Sequence, residues 1–284
     1  MPYIRTCDNV ELFYISGGTG KPIVFLASAW LSSKMWEFQM PHFVNQGFRC
    51  VAYDRRGHGR SDETWDGYDY DTLADDLAAL LDHLDLREVT LVGHSAGCGE
   101  IVRYLTLHGA GRIARIVLAG GITPFPMKTD NNPIGIDRTL MEADLAVRTS
   151  DRAKWYADNA EGFFGIGLPG VSVSPEKAQF MIQQCLECSA RAAVEFFLTG
   201  FTSDLRKDLQ AIHVPALVIH GTRDAQAPLT LCGQRTAEML PHGDLIVYES
   251  AAHGLFMTHA ERFNGDVLSF ANGVTGPLAG TVSA

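Results

Sequence analysis

The chain has 284 residues, of which 46% are hydrophobic and 20% are charged, and its formal net charge is −10. This length is enough for one large α/β domain that carries an insertion. An acidic chain without a basic run would not neutralise phosphates, so we expect no nucleic-acid partner. The longest apolar runs, such as residues 22–31, are too short to span a bilayer, so we expect no membrane partner.

The six cysteines are scattered along the sequence, and only Cys185 and Cys188 have a spacing that metal sites use. No second ligand pair lies near them in sequence, so we interpret them as thiols on neighbouring turns of a helix. We expect no metal and no organic cofactor. The first residues lack a basic stretch followed by an apolar core, and free thiols fit a reducing compartment, so we predict a cytoplasmic location.

Short apolar runs alternate with amphipathic stretches through the first 120 residues. The runs predict strands at 3–6, 11–15, 22–26, 49–53, 89–92 and 113–119. Amphipathic periodicity predicts helices at 35–45, 70–84 and 96–108. The first two strands flank Asp8 and Asn9, which predicts a hairpin. The later alternation predicts parallel strands with helical crossovers.

The alternation stops between about residues 121 and 207, which contain amphipathic pieces at 140–159 and 175–198. It resumes with predicted strands at 215–220 and 245–248 and predicted helices at 229–240 and 261–270. We therefore predict an α/β fold: a mostly parallel eight-stranded sheet, helices on both faces and an inserted helical cap. The predicted core is residues 1–120 and 208–272, the cap is 121–207, and a flexible tail is 273–284.

The segment Gly93-His94-Ser95-Ala96-Gly97 matches the pattern G-x-S-x-G between a predicted strand and a predicted helix. In that setting the serine occupies a sharp, strained turn. Side chains two positions before or after it would collide with neighbouring backbone. Ser95 is therefore the candidate nucleophile, and the alternative is an inert serine in a glycine-rich turn.

A serine hydroxyl needs a base to accept its proton, and the base needs an acceptor to hold its tautomer. His253 follows the last predicted strand and Asp224 follows the preceding one, so both are expected at the carboxyl edge of the sheet. The order serine, aspartate, histidine is the one this fold requires. Taken alone, His253 could be a surface histidine and Asp224 a helix cap. His94 is expected to point away from the hydroxyl.

Several motifs together resemble the bacterial aryl esterases and the related cofactor-free haloperoxidases, or perhydrolases, of the α/β-hydrolase superfamily. The likeness runs from about residue 6 to residue 272. The motifs are Met35-Trp36-Glu37-Phe38-Gln39-Met40, Asp54-Arg55-Arg56-Gly57-His58-Gly59-Arg60-Ser61-Asp62, Tyr68-Asp69-Tyr70-Asp71-Thr72, Leu91-Val92-Gly93-His94-Ser95, Val218-Ile219-His220-Gly221 and His253-Gly254. The resemblance implies the α/β-hydrolase fold and hydrolysis of small esters or lactones, with the family's triad falling on Ser95, Asp224 and His253.

One segment departs from that family. Its members usually carry His-Gly-aromatic followed by Pro or Leu after the third strand, and here the matching residues are Ala27-Ser28-Ala29-Trp30. The resemblance implies that the backbone amides of Ala29 and Ala96 form the oxyanion hole. It also places Trp30 beside the substrate pocket, where an indole would favour short acyl chains, the alternative being that Trp30 only packs under the cap.

We therefore predict a serine hydrolase that acts on a small-molecule ester or lactone through an acyl-enzyme on Ser95. Two alternatives stay open: a cofactor-free perhydrolase of the haloperoxidase type, and a weakly active or non-catalytic small-molecule receptor on the same fold. The sequence also leaves open whether the chain forms homo-oligomers.

Overall fold

The computed structural model describes residues 2–274, so most of the predicted tail, residues 275–284, lies outside the described residues. Eight strands form one sheet, with neighbours in the order β1-β2-β4-β3-β5-β6-β7-β8. They are β1 (Tyr3–Arg5), β2 (Glu11–Gly17), β3 (Pro22–Leu26), β4 (Arg49–Tyr53), β5 (Val89–His94), β6 (Ile113–Ala119), β7 (Ala216–Gly221) and β8 (Gly243–Tyr248). The hairpin β1-β2 and the pair β2-β4 are antiparallel, and the other neighbours are parallel. The predicted eight-stranded, mostly parallel sheet is confirmed.

Helices cover both faces of this sheet. They are α1 (Met40–Asn45), α2 (Tyr70–His83), α3 (Gly97–His108), α4 (Arg138–Ser150), α5 (Arg152–Phe164), α6 (Pro175–Glu187), α7 (Ala190–Thr202), α8 (Arg206–Gln210), α9 (Gly233–Met239), α10 (Leu255–Thr258) and α11 (Ala260–Ala271). The leucine stripe of α2 packs with α3 on one face, and α1 and α11 pack on the other. Because both faces are covered, all residues of β3, β5 and β7 are buried. Among the described residues, none of the helices has the length and apolarity needed to cross a bilayer.

The predicted helix over residues 35–45 is wrong in its extent. The structure has a 3₁₀ turn at Ser33–Trp36 and then the short helix α1, in which Pro41 lies in the first turn. Proline has no amide hydrogen to donate and is tolerated only in the first turn of a helix. The chain therefore starts a new helix at Met40 instead of continuing one from Met35.

The segment between β6 and β7 contains the helices α4 to α8 and forms the predicted helical cap. The two amphipathic pieces expected there are each divided into two helices. Asp151 accepts a hydrogen bond from the Lys154 amide and caps α5, and Ser189 accepts one from Ala192 and caps α7. The predicted boundary between residues 207 and 208 falls within α8, so we keep the division into core and cap as a proposal.

Candidate active site

Ser95 lies in the tight turn between β5 and α3, with a φ of 55°. A non-glycine residue in this left-handed region costs on the order of 1–3 kcal/mol and persists where the surroundings enforce it. A Cβ on Gly93 would lie 2.9 Å from the Gly97 carbonyl oxygen, and one on Gly97 would lie 2.7 Å from the Ala27 carbonyl oxygen. The two glycines therefore allow the close approach that the turn needs, and Ser95 reaches the wall of a cavity under the cap.

His253 and Asp224 are in direct contact at the same edge of the sheet. His253 Nδ1 lies 2.7 Å from Asp224 Oδ2, and both side chains are buried. Asp224 Oδ1 accepts hydrogen bonds from the amides of Gln226 (3.0 Å) and Ala227 (2.8 Å). Burial alone would raise the pKa of Asp224, but the nearby charge of His253 and these hydrogen bonds bring it below its usual value. The carboxylate is therefore held ionised and oriented toward the imidazole.

The other contact expected in the predicted triad is between the Ser95 hydroxyl and the His253 ring. Within residues 2–274 the structure describes no hydrogen bond from the Ser95 hydroxyl to the His253 ring. Neighbouring residues link Ser95 to His253. The Ser95 amide donates to the Ala119 carbonyl, and a Cβ on Gly120, the residue after Ala119, would lie 3.5 Å from His253 Nδ1. Bonds of this kind are often long before substrate binds.

Two further histidines surround this pair, and the sequence analysis assigned neither of them a part in the site. The ring of His94 lies 4.8 Å from that of His253, and its Nε2 is 2.8 Å from the His253 carbonyl oxygen. His220 Nε2 is 2.6 Å from the Ala227 carbonyl oxygen and 3.5 Å from Asp224 Oδ2. Both are fully buried, and burial lowers the pKa of His94 to about 3. They position the loops that carry the triad candidates.

The departing segment Ala27-Ser28-Ala29-Trp30 lies beside the serine. Ala29 and Ala96 both line the cavity, and neither amide donates to an acceptor among the described residues. Arg55 donates from Nη2 to the Ala27 carbonyl (2.7 Å) and from Nε to Glu100 (2.6 Å). This buried ion pair fixes the segment that carries the Ala29 amide.

The cavity has a volume of about 260 Å³, and its walls include Ser95, Ala29, Trp30 and cap residues. Trp30 has a φ of 64° and donates from its indole nitrogen to the Ala193 carbonyl of the cap (3.1 Å). It also lines a smaller cavity of about 40 Å³. The indole therefore packs against the cap and borders the cavity at Ser95. The preference for short acyl chains stays a prediction.

The cap supplies much of the remaining wall. Phe201 lines the larger cavity, and Phe163 stacks edge-on against His253 with ring centroids 5.5 Å apart. Phe125 and Met127 pack instead in a hydrophobic cluster of the cap. Arg148, which the sequence analysis did not single out, also lies on the cavity wall.

The cysteine pair has the environment of structural thiols. Cys185 lies within α6 and Cys188 ends it. Burial raises the pKa of Cys188 to about 12, so the group stays a neutral thiol near neutral pH. Within residues 2–274, no three His, Cys, Asp or Glu side chains cluster in a way that could hold a metal ion.

Comparison with known proteins gives consistent results over nearly the whole chain. A sequence model of the family described as alpha/beta hydrolase fold matches residues 12–260. The chain is 41% identical to a non-heme chloroperoxidase of Kitasatospora aureofaciens, covering 96% of this chain and 100% of that protein. It is 36% identical to a bifunctional esterase/perhydrolase of Acinetobacter calcoaceticus, covering 95% and 99%. The crystal structure of a bromoperoxidase from Bacillus anthracis superposes with a TM-score of 0.90 at 35% identity, covering 95% and 99%.

Proposed function

Because the chain belongs to the α/β-hydrolase fold family, we propose that it is a serine hydrolase that cleaves small carboxylic esters or lactones through an acyl-enzyme on Ser95. The observation that carries this proposal is the contact of 2.7 Å between His253 and Asp224 beside a serine with a φ of 55°. In this proposal Ser95 is the nucleophile, His253 the base and Asp224 the orienting acid, each on a separate loop.

In the proposed reaction, the Ser95 hydroxyl oxygen attacks the substrate carbonyl carbon while His253 Nε2 accepts the hydroxyl proton. Asp224 accepts the hydrogen bond from Nδ1 and stabilises the imidazolium that forms. The tetrahedral intermediate collapses when His253 gives the proton to the departing alkoxide, which leaves an ester on Ser95. A water molecule then attacks this ester, with His253 again as the base, and releases the acid.

The oxyanion of each tetrahedral intermediate would be held by the amides of Ala29 and Ala96. Both amides lack a protein acceptor among residues 2–274, and both line the cavity beside Ser95. One donor of this kind contributes about 3–4 kcal/mol to lowering the barrier. Because the donors are backbone groups, the unusual side chains of this segment leave them in place.

The relatives' names favour a second reaction on the same residues. One relative is named a non-heme chloroperoxidase and another a bifunctional esterase/perhydrolase. In perhydrolysis, hydrogen peroxide replaces water in the attack on the acylated Ser95, and the product is a peracid. No additional protein group is required, so we propose this as a side reaction. We also keep as proposals that the ligand is a small molecule and that the protein is cytoplasmic.

A fluorophosphonate probe tests the proposed nucleophile, because it forms a stable bond only with an activated serine. We expect labelling of the wild-type protein at Ser95, loss of labelling in Ser95→Ala, and retained labelling in Ser150→Ala, whose serine is exposed. A wild-type protein that fails to react would instead support the reading as a non-catalytic receptor.

A further inference from the structure

Arg148 of α4 is a charged side chain on the wall of the cavity that contains Ser95. Only 4% of this side chain is exposed. Its Nη2 lies 2.6 Å from Asp144 Oδ2, one turn earlier on the same helix. Of the described residues that line the cavity, Asp144 and Arg148 are the charged ones. A buried arginine at a ligand cavity needs an explanation, because removing its charge from water is costly.

The partners of Arg148 satisfy only part of its hydrogen-bonding capacity. Nε and Nη1 have no acceptor among the described residues, although both atoms are buried. A buried donor that has no acceptor costs about 1–3 kcal/mol, and more if the group is charged. Burial lowers the pKa of Arg148 below its usual value, but a guanidinium remains charged in proteins. The guanidinium of Arg148 is therefore a cation on the cavity wall whose Nε and Nη1 donors have no acceptor among the described residues.

Aromatic rings surround the guanidinium on several sides. Its central carbon lies 4.3 Å from the centre of the Trp30 ring, 3.8 Å from that of Trp155 and 4.1 Å from that of Phe197. All three residues line the same cavity as Ser95. Such rings stabilise the cation through their negative faces but accept no strong hydrogen bond. They hold the guanidinium in place beside the pocket without using its free N–H groups.

Asp144 does not neutralise the cation within the pocket. Its Oδ1 accepts a hydrogen bond from Trp155 Nε1 (2.9 Å), which leaves Oδ2 for Arg148. About 40% of the Asp144 side chain is exposed, against 4% for Arg148. Solvent screens the carboxylate more than the guanidinium, so the field inside the cavity is that of the cation.

We propose that Arg148 binds a free carboxylate on the substrate, so that the preferred substrates are anionic: half-esters of dicarboxylic acids, or esters and lactones that carry a separate carboxylate. The proposal rests on the serine hydrolase function proposed above. Nε and Nη1 are closed to solvent in this structure, so a carboxylate reaches them only when the surrounding rings shift. It would then complete the hydrogen bonding of Nε or Nη1 and meet a cation whose desolvation is already complete. Trp30 contacts Arg148 and borders the cavity at Ser95, so both ends of one small substrate can be held in this cavity.

The first experiment compares matched pairs of substrates that differ only in one negative charge. In the first pair, mono-4-nitrophenyl glutarate carries a carboxylate on the acyl side and methyl 4-nitrophenyl glutarate is its neutral counterpart. In the second pair, 4-carboxyphenyl acetate carries the carboxylate on the leaving group and 4-(methoxycarbonyl)phenyl acetate is its neutral counterpart. We expect the charged member of one pair to have a kcat/KM at least about tenfold higher, the factor of one charge-assisted hydrogen bond. The pair that shows the preference identifies the side on which the carboxylate lies.

Variants then assign this preference to Arg148. In Arg148→Met the ratio of kcat/KM within the preferred pair should fall about tenfold. In Asp144→Asn the ratio should rise, since a competing negative charge is removed. Arg138→Met removes an exposed positive charge from the same helix and should leave the ratio unchanged. Equal kcat/KM values within both wild-type pairs, or a ratio that is unaffected by Arg148→Met, would overturn the proposal.

A binding measurement keeps the inference independent of catalysis and of the variant's folding. We expect glutarate to raise the Tm of the wild-type protein and of Ser95→Ala, and the neutral diamide glutaramide to leave it unchanged. Equal effects of glutarate and glutaramide would contradict a carboxylate site even if the protein hydrolyses neutral esters. Conversely, selective binding of glutarate by a protein that hydrolyses no ester would overturn the proposed hydrolase function and leave the Arg148 site intact.

Discussion

His94 donates a hydrogen bond from Nε2 to the backbone carbonyl oxygen of His253, over 2.8 Å. A carbonyl oxygen can only accept, so the proton lies on Nε2 of His94. Burial lowers the pKa of His94 to about 3, which keeps this ring neutral at ordinary pH. The residue next to the candidate nucleophile thus fixes the backbone of the candidate base.

We predict that His94→Met lowers kcat for ester hydrolysis about five- to tenfold with little change in KM, because one buried hydrogen bond of about 1 kcal/mol that positions His253 is lost. His94→Gln retains an amide donor and should recover part of the rate. Steady-state kinetics on an ester substrate measure kcat and KM for both variants and the wild type. Equal rates in Met and Gln variants would contradict a role for the hydrogen bond.

Trp30 lines both the cavity at Ser95 and the smaller cavity. We predict that Trp30→Leu enlarges the space beside Ser95 and raises the ratio of kcat/KM for hexanoate over acetate esters about tenfold, the lower end of what one methylene group contributes in an apolar pocket. Trp65→Leu is the matched control, since that indole is 74% exposed. Identical chain-length profiles in the wild type and Trp30→Leu would show that the indole does not limit the acyl group.

The local parts of the candidate site could be predicted from the sequence because each depends on a few neighbouring residues. The turn at Ser95 needs glycines at fixed spacing, and Asp224 and His253 each follow a buried strand that brings them to one edge of the sheet. The mostly parallel sheet follows from the alternation of strands and helices. These features need no knowledge of how distant side chains pack.

The parts that were missed depend on long-range packing. Arg148 reads in sequence as one more charge on an amphipathic helix, and only the docking of the cap onto Trp30 buries it. The sequence suggested no positioning role for His94, because its contact with the His253 carbonyl joins positions 159 residues apart. The breaks in the cap helices were readable in principle, since Asp151 and Ser189 are typical N-cap residues.

The buried ion pair of Arg55 and Glu100 should contribute strongly to stability. We predict that Arg55→Met lowers the free energy of unfolding by about 3–5 kcal/mol, because the Glu100 carboxylate is left buried without its partner. Arg5→Met removes one partner of an exposed pair with Glu11 and should leave the free energy of unfolding nearly unchanged. Urea unfolding measures both, and similar losses in the two variants would contradict the structural account.

His58 should make the protein less stable in acid. Burial, followed by the charge of Arg55, lowers the pKa of His58 to about 3 in the folded state, against about 6.5 when unfolded. Between these values only the unfolded chain takes up the proton, so this residue's contribution to stability is complete above pH 6.5 and is lost as the pH falls toward 3.

We therefore predict that His58→Asn, which keeps an amide donor for the Arg56 carbonyl, loses less stability than the wild type on acidification. The difference in free energy of unfolding should grow by about 1 kcal/mol per pH unit between about pH 6 and pH 4. The exposed His242→Asn should follow the wild type. Parallel curves for the wild type and His58→Asn would contradict the burial of a neutral imidazole.

The role of Ser95 as nucleophile is tested by the kcat of Ser95→Ala on 4-nitrophenyl acetate, with its Tm as a check on folding. Removing the nucleophile of such a triad typically costs at least about 10⁴-fold in kcat. We expect Ser95→Ala to lose kcat by this factor with an unchanged Tm. A folded Ser95→Ala protein whose kcat stays within about tenfold of the wild type would contradict the role of Ser95 as nucleophile.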